Sequence, residues 1–321
     1  MYRILLTGST GFIGTELLKQ LKLKKYFIHT SSRSSLENKI NEVQNFKINQ
    51  IDNNSNWSEA LERVDCVIHC AGIAVENNKL NVNDLDYYYK VNVEGVSNLA
   101  NQAAAKGVRR FIFLSSIKVN GERTNVSSNF KNTDEPNPED IYAISKWKAE
   151  QSLHAISKQT GLEIVIIRAP IVYGEGVKGN FLHLLNLIYQ GFPLPFGSVN
   201  NHRSFISLEN LVDLIICCID HSKAAGQTFL VSDGEDISTP NLIKKIAMMM
   251  KKKAVLIPVP ISIIKLIGKI IRKKKKINSL INSLQVDNFF TKETLQWQPP
   301  INLDKGLNKT VEWYLLKNRK S

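Results

Sequence analysis

The stretch TGSTGFIG near the start of the chain constrains the fold more than any other feature. It places three glycines between a short apolar, β-branched run, YRILLTG, and a segment whose apolar residues have helical spacing. Glycines in this setting permit a tight turn and let the backbone approach a pyrophosphate at the helix N-terminus. The pattern predicts a dinucleotide-binding loop formed by Gly8, Ser9, Thr10, Gly11, Phe12, Ile13 and Gly14.

Strand-like and helix-like segments alternate through the first half of the chain. The runs that predict strands are YRILLTG, YFIHTSS, NFKIN, DCVIHCAG, VRRFIFLSSIKV and LEIVIIRAPIVYG. Two of the helical segments, DYYYKVNVEGVSNLANQAAAKG and the helix from about 140 to 160, stop at Gly107 and Gly161. Near-continuous apolar strands between helices predict an α/β fold, a Rossmann-type doubly wound parallel sheet covered on both faces.

The pattern loosens after Gly174, where prolines become frequent. We expect residues 1–174, with part of 203–240, to form an NAD(P)-binding Rossmann domain. Residues 175–321 are expected to form mainly a smaller C-terminal substrate-binding lobe, with no clean linker before it.

Composition indicates an ordinary globular protein, since 43% of the residues are hydrophobic and 22% are charged. The first residues enter a strand directly, and no apolar run reaches the ~18–20 residues of a spanning helix. We therefore expect no secretory signal and a cytoplasmic location. The cysteines form no CxxC pair and the histidines no ligand pattern, so we expect no metal site and free thiols at Cys66, Cys70, Cys217 and Cys218.

The formal net charge of +13 suggests an anionic partner, and much of the excess lies in residues 248–276. Read as a helix, residues 261–276 have apolar faces and one polar, basic stripe, made by Ser262, Lys265, Lys269, Arg272 and Lys276. This helix would either contact an anionic membrane surface or pack on the core with a solvated lysine-rich side. We favour the second. The lysines lack interleaved aromatic residues, so no nucleic-acid partner is predicted.

The stretch IYAISKWKAE places Tyr142 and Lys146 four residues apart in a helical pattern. Residues at this spacing share a helix face, with their Cβ atoms about 5–6 Å apart. Such a pair forms either a solvated face or a proton donor whose pKa is lowered by a fixed positive charge. The motif alone does not decide between them, and the preceding glycine loop favours the proton donor.

The second strand bears on the choice of cofactor. In NAD enzymes with this fold, an Asp or Glu after that strand usually binds the adenosine ribose 2′-hydroxyl. Here FIHTSSRSS contains no acid, and Ser31, Ser32 and Arg33 offer hydroxyls and a guanidinium that suit a 2′-phosphate. We therefore favour NADP(H), and NAD(H) stays open.

With these motifs in place, the chain resembles an extended short-chain dehydrogenase/reductase of the NAD-dependent epimerase/dehydratase family over essentially its whole length. The resemblance is carried by DCVIHCAG, YKVNVEGVSNLA, FIFLSSIKVNG, YAISK, RAPIVYG and HRSFISLENLVD. It implies further cofactor contacts at Ser32, Arg33, Gln50, Ile51, Cys70, Ala71, Gly72, Asn92, Tyr142, Lys146 and Ala169. Other stretches are most similar to a bacterial O-antigen subgroup that contains UDP-sugar 4-epimerases and 4-keto reductases forming UDP-N-acetylquinovosamine.

The resemblance also implies the catalytic roles. Tyr142 would exchange a proton with the oxygen on sugar C4, and Lys146 would hold the nicotinamide ribose and favour the phenolate. Ser116 would hydrogen-bond the reacting oxygen. Substrate contacts are implied for Ser116, Lys118, Tyr142, Val172, Asn180 and Arg203, with the arginine on the UDP diphosphate. A homodimer is implied as well.

Three departures from the family pattern matter. Ser116 is followed by Ile117 and Lys118 instead of the Asp-Glu pair of the 4,6-dehydratases, which excludes that reaction. Gln50 stands where many relatives carry an Asp near the adenine. Ile171 stands where epimerases often have an asparagine that contacts the sugar, which weakens the epimerase interpretation.

These observations lead to a ranked set of functions. The first is NADPH-dependent reduction of UDP-2-acetamido-2,6-dideoxy-4-hexulose to UDP-N-acetylquinovosamine for O-antigen and lipopolysaccharide synthesis. The alternative is a 4-epimerase acting on UDP-glucose or UDP-N-acetylglucosamine with bound NAD. A second alternative is a non-catalytic NADP-sensing or nucleic-acid-binding protein, against which the intact set of Ser116, Tyr142 and Lys146 argues.

Overall fold

The computed structural model describes residues 2–33, 43–73, 85–125, 128–270 and 274–319. Within these ranges the strands, in chain order, are β1 Arg3–Thr7, β2 Phe27–Ser32, β3 Val43–Lys47, β4 Cys66–His69, β5 Arg110–Ser116, β6 Glu163–Ala169, β7 Ile171–Tyr173, β8 Arg203–Ser207, β9 Thr228–Leu230 and β10 Asp236–Ile237.

The helices are, in the same order, α1 Phe12–Leu23, α2 Leu85–Tyr89, α3 Gly95–Ala105, α4 Ile141–Thr160, α5 Gly179–Tyr189, α6 Leu208–Cys217, α7 Thr239–Met249, α8 Ile261–Ile270, α9 Lys274–Ile281, α10 Phe289–Leu295 and α11 Leu303–Arg319. A π-helical turn, Lys90–Glu94, joins α2 to α3. Short 3₁₀ turns cover Ile117–Val119 and Ser222–Ala224.

Seven strands of the described chain form one parallel sheet in the order β3-β2-β1-β4-β5-β6-β9. The order 3-2-1-4-5-6 is that of doubly wound dinucleotide-binding folds. The predicted Rossmann-type parallel sheet is therefore confirmed. Its direction of winding reverses between β1 and β4, and a ligand crevice forms beside the carboxyl ends of the strands at such a switch point.

Alternating side chains cover the two faces of the sheet because successive residues of a strand point to opposite sides. On one face, Ile4 and Leu6 of β1 pack with Leu17 of α1 and with α6. On the other face, Leu5 packs in a separate cluster with α3 and with Leu153 of α4. Helices thus bury both faces, and their arrangement places the N-terminus of α1 and the first turn of α4 at the carboxyl edge.

The segment LEIVIIRAPIVYG, predicted as one strand, is two strands in the structure. β6 ends at Ala169, and Ile171 begins β7, which pairs with β8 in a separate three-stranded sheet of order β10-β8-β7. Pro170 separates them, because proline has no N–H for a central ladder and interrupts a strand. The break directs the chain out of the central sheet.

A second hydrophobic core lies around the small sheet. It contains Tyr173 and Phe205 from that sheet, Leu185 of α5, Ile243 of α7 and Val311 of α11. Other parts of the second half return to the central sheet, since α6 packs beside α1 and β9 pairs with β6. Strand β8 therefore lies between the two cores.

The basic segment does not pack as expected. Instead of one helix over 261–276, the structure has α8 and α9, and residues 271–273 lie outside the described ranges. Only Ile264 and Gly268 of α8 are buried. The interpretation as a core-packed helix holds only in part. Ile264 belongs to the second core and the lysines of α8 are exposed, but most apolar residues of α8 are exposed as well. The predicted stripe residues Arg272 and Lys276 fall outside the described side chains.

We find no helix in the described ranges with the length and apolar composition needed to cross a bilayer.

A buried ion pair ties α4 to β6 and generates a stability prediction. Arg168 Nη2 lies 2.6 Å from Glu150 Oε2, the two side chains are 5% and 0% exposed, and Asn120 accepts a further bond from the arginine. Glu150→Gln removes the negative charge and leaves a buried guanidinium without its counter-ion. We expect a loss of about 3–5 kcal/mol in the free energy of unfolding, measured by urea denaturation.

Lys309→Ala is the matched control, because Lys309 forms an equally short pair with Glu209 at 47% and 41% exposure. Solvent screens this pair, so its removal should cost about 1 kcal/mol or less. Equal losses for the two variants would contradict the prediction.

Candidate active site

The glycine turn lies at the switch point, and close contacts leave no room for a side chain at Gly8 or Gly14. Gly8 has φ +73°, and its carbonyl accepts a 2.9 Å bond from the N–H of Gly11. A Cβ on Gly14 would lie 2.0 Å from Gly8 O, and one on Gly8 would lie 2.7 Å from the N of Ala71. The turn therefore packs closely on the start of α1 and on the chain after β4.

The N-terminus of α1 can receive an anion. Gly11 is the N-cap, in an extended conformation and with no side-chain capping bond to the first turn. Its N–H groups and the helix dipole then favour a negatively charged group placed against the turn. The residues present fit the pyrophosphate of a dinucleotide, which needs this close backbone approach.

Asn92 joins the segment after β4 to α4. It lies in the π-helical turn, where its Oδ1 accepts from Ile73 N at 2.9 Å and its Nδ2 donates to Ser145 Oγ at 3.0 Å. Ser145 in turn donates to the carbonyl of Tyr142. A π turn re-aims side chains within a helix and is frequent at functional sites. Here it directs a buried amide between two elements of the site.

Lys146 is buried at the centre of the site. Its Nζ donates to Leu114 O at 2.9 Å and lies 4.5 Å from the ring centroid of Phe113. A Cβ on Gly72 would lie 3.5 Å from the same Nζ, so the lysine also borders the segment after β4. Burial lowers the pKa of Lys146 to about 8, because water no longer solvates the ammonium.

Tyr142 and Ser116 meet across the carboxyl edge. Ser116 ends β5 opposite Ala169 of β6, and its side chain lies close enough to the Tyr142 phenol to lower the pKa of that phenol. The ring of Tyr142 lies 6.0 Å from Lys146 Nζ. The structure brings these three predicted side chains to the same edge of the sheet, and their catalytic roles stay predictions.

The positive charge that lowers the Tyr142 pKa most comes from Lys118, whereas the sequence predicted Lys146 for this role. Burial raises the pKa of Tyr142 to about 12, and the Lys118 ammonium is the group that opposes this rise most. Lys118 Nζ lies 2.8 Å from Asp140 Oδ2 and 2.9 Å from Glu122 Oε1. Burial lowers the pKa of Lys118, yet its bonds to the two carboxylates hold it above the ordinary value. The cation beside the phenol is therefore kept charged.

Arg203 is a buried cation without a counter-ion within 4 Å among the described residues. Only 5% of it is exposed, its Nη1 donates to Asn282 O at 2.8 Å, and its Nε has no hydrogen-bond partner there. Burial lowers the pKa of its guanidinium to about 10. A buried, incompletely bonded guanidinium is well suited to bind an anion bidentately, as a diphosphate requires.

The other predicted residues lie around this edge. Ser32 ends β2 and the exposed Arg33 follows it. The chain after β3 carries Gln50 and Ile51, and Ile51 packs closely against Gly95. Cys70, Ala71 and Gly72 follow β4. Val172 lies on β7 and packs against the core of the central sheet, whereas Asn180 lies on α5, a helix of the second core.

Sequence reasoning missed Asp140 and Phe113. Asp140 caps α4 through a 2.7 Å bond from Ala143 N and also binds Lys118, so it joins the helix start to the charge network. An Asp three residues before a helical N–H is a recognisable capping signal. Phe113 lay within a predicted strand, but nothing local indicated that its ring would face Lys146.

Comparison with known proteins agrees with this geometry. Residues 4–232 match the profile of the NAD dependent epimerase/dehydratase family. A Vibrio cholerae protein named UDP-glucose 4-epimerase is 46% identical over 318 residues, which cover 99% of this chain and 97% of the relative.

Two solved structures share the fold over nearly the whole chain. The Thermotoga maritima UDP-glucose 4-epimerase with UDP-glucose has a TM-score of 0.75 at 22% identity, covering 98% of this chain and 99% of that one. The Bacillus cereus UDP-glucuronic acid 4-epimerase in complex with NAD has a TM-score of 0.78 at 21% identity, with the same coverage.

The glycine turn predicts that two alanine substitutions act differently. Gly14→Ala places a methyl group 2.0 Å from a backbone oxygen and should destabilise the fold by more than about 2 kcal/mol. In Gly11→Ala the new Cβ would lie 3.1 Å from Gly8 O, so the chain should still fold. The added methyl group should keep the backbone from approaching a dinucleotide as closely. Thermal unfolding and calorimetric titration with NAD measure the two effects.

For Gly11→Ala we expect NAD binding about tenfold weaker or more, with a small change in melting temperature. Unchanged NAD affinity in a folded Gly11→Ala protein would contradict the assignment of this loop. Gly107→Ala is a control for stability loss outside the loop. An alanine at φ +75° is strained although no atom lies within 4 Å of its Cβ position, so this variant should lose stability but keep its NAD affinity.

Proposed function

The chain belongs to the NAD-dependent epimerase/dehydratase family, and we propose that it inverts the configuration at C4 of a UDP-hexose with a resident NAD. The observation that carries this proposal is the 46% identity, over 99% of the chain, to a protein named UDP-glucose 4-epimerase. Sequence reasoning ranked a 4-keto reductase first and kept the epimerase as its alternative. The comparisons support that alternative.

NAD is the cofactor we propose, held by the turn from Gly8 to Gly14 and by Lys146 at the nicotinamide ribose. A solved relative of the same fold is in complex with NAD, which supports this choice. When bound, the nicotinamide would accept a hydride from sugar C4 and return it to the opposite face of that carbon. The protein residues then have to bind, orient and exchange a proton.

Tyr142 is the proposed proton-transfer group. Its phenolate would take the proton from the C4 hydroxyl as the carbon is oxidised. After the keto sugar has rotated to present its other face, the phenol would return the proton. Ser116 would hydrogen-bond the C4 oxygen and fix its position. Lys118 favours the phenolate, because its positive charge opposes part of the rise that burial causes in the Tyr142 pKa.

Arg203 is the proposed diphosphate ligand. Residues 175–321 would supply most of the lobe around the nucleotide, and Val172 and Asn180 would contact the substrate at its border. The unbonded Nε and the lowered pKa of Arg203 support this role, because an anion would complete its hydrogen bonds and stabilise its buried positive charge. The homodimer stays a prediction.

The 4-keto reductase remains the second candidate because of β2. Its end carries Ser32 and an exposed Arg33 but no acid for an NAD ribose. Ile171, in place of an asparagine, is 38% exposed. The same three catalytic residues would serve this reaction with NADPH as the hydride source.

The two candidates differ in what the purified protein carries and consumes. We expect NAD to be released when the protein is denatured, and UDP-glucose to be converted to UDP-galactose without added cofactor, as followed by chromatography. UDP-N-acetylglucosamine is the second substrate to test. Net oxidation of NADPH with a UDP-4-keto-6-deoxy-N-acetylhexosamine, and no epimerisation, would overturn the epimerase and support the reductase.

The position of Lys118 predicts the pH dependence of turnover. Lys118→Met removes the charge that opposes the raised Tyr142 pKa, so less phenolate forms at a given pH and the rising limb of the pH–rate profile should move to higher pH. Each unit of upward shift lowers the rate at neutral pH about tenfold. Lys118→Arg, which keeps the charge, should restore the profile.

The measured quantity is kcat as a function of pH, in wild-type protein and in both variants at equal NAD content. If the two variants lose activity equally with no shift of the limb, Lys118 acts only through packing and the electrostatic account is wrong.

A further inference from the structure

Helix α8 exposes a stripe of apolar side chains. Ile263, Leu266, Ile267 and Ile270 follow the i, i+3, i+4, i+7 spacing of one helix face and are 46%, 58%, 44% and 71% exposed. A stripe with this spacing ordinarily packs against the core. Here it faces outward, which marks an interaction surface rather than a set of scattered apolar residues.

The opposite side of α8 holds the helix to the protein. Ile264 is 2% exposed, and a Cβ on Gly268 would lie 2.7 Å from the Cδ1 of Ile277 in α9. The close approach at Gly268 lets α8 pack tightly on α9. The helix is therefore anchored on one side, and its apolar stripe is not the side the fold needs.

The surrounding chain is strongly basic. Lys265 and Lys269 are exposed on α8 itself, beside the apolar stripe. Between Asp236 and Asp287 the sequence contains twelve Lys and Arg residues and no Asp or Glu, against a formal net charge of +13 for the whole chain. Nearly all the excess positive charge of the protein thus lies in the segment that contains the apolar stripe.

We propose that α8 docks the protein on an anionic phospholipid membrane, lying in the interface with Ile263, Leu266, Ile267 and Ile270 toward the acyl chains. An outward apolar stripe flanked by lysines is the arrangement of interfacial amphipathic helices. The lysines around it would contact lipid phosphates, and attraction to an anionic surface strengthens with each such residue. The proposal concerns location and is independent of which sugar is epimerised.

Charge decides between a membrane and a second copy of this chain. Pairing two α8 stripes would bring two uniformly basic segments together, and like charges across an interface oppose association. An anionic lipid surface would bury the apolar stripe and also bind the lysines through its phosphates. The apolar part of the surface and its charge thus point to the same partner.

The experiment is co-sedimentation of the full-length protein with lipid vesicles. Phosphatidylcholine vesicles are compared with vesicles in which a quarter of the lipid is phosphatidylglycerol. We expect binding to the anionic vesicles that weakens as salt is added, and little binding to the neutral ones, because salt screens the attraction of lysines to lipid phosphates.

Two double variants separate the two contributions. Leu266→Gln with Ile270→Gln removes apolar contact, and Lys265→Gln with Lys269→Gln removes charge; each should weaken binding to anionic vesicles about tenfold or more. Their matched controls are Leu316→Gln, which replaces a 58% exposed leucine on α11, and Lys24→Gln with Lys106→Gln, which removes two exposed lysines elsewhere. Turnover of a soluble UDP-sugar should be unchanged in all variants.

Three outcomes would overturn the proposal. The first is no binding to anionic vesicles at low salt. The second is equal loss of binding in the controls, which would mean nonspecific attraction of a basic protein. The third is concentration-dependent self-association, measured by analytical ultracentrifugation, that Leu266→Gln with Ile270→Gln abolishes while vesicle binding persists, which would assign the stripe to a second copy.

Discussion

The burial of Lys146 between α4, β5 and the segment after β4 is the interaction on which the site depends. Its ammonium donates to Leu114 O and lies over Phe113, so this side chain joins α4 to β5, and it lies next to Gly72 in the segment after β4. Removing it from water is unfavourable and lowers its pKa to about 8. The fold tolerates this cost because the same contact aligns the first turn of α4 with the carboxyl edge of the sheet.

That alignment buries the Tyr142 phenol, which makes its deprotonation unfavourable. Burial alone makes Tyr142 a poor base, since its pKa rises to about 12. The opposing charge comes from Lys118, which Asp140 and Glu122 keep protonated. Because Asp140 also caps α4, the residue at the start of the helix that carries Tyr142 helps to hold the Lys118 ammonium beside the phenol. The Asp140 carboxylate therefore both stabilises the start of α4 and holds the charge near Tyr142.

Much of the fold could be predicted because its signals are local. The β1–glycine turn–α1 unit, the parallel sheet and the extent of α4 all follow from periodicity and glycine placement, and the positions of Ser116, Tyr142 and Lys146 follow from motifs on those elements. The split at Pro170 was missed because both halves are apolar and β-branched. For α8, the sequence showed an amphipathic helix but not which side meets the protein.

The electrostatics of the site could not be predicted for a related reason. Lys118 and Asp140 are 22 residues apart and meet only because the turn after β5 and the start of α4 share the carboxyl edge. The unbonded Nε of Arg203 likewise depends on long-range packing. Spacing along the chain reports which residues share one helix or strand, whereas the charge near a group depends on tertiary contacts.

The central claim is that the Tyr142 hydroxyl exchanges the proton of the sugar C4 oxygen. The most direct measurement compares epimerisation of UDP-glucose by wild-type protein and by Tyr142→Phe at equal NAD content, with Tyr88→Phe as the control for loss of a neighbouring phenol. The account predicts a fall of about 10²–10⁴-fold in kcat for Tyr142→Phe with NAD retained, and near wild-type turnover for the control. Wild-type turnover by Tyr142→Phe would contradict it.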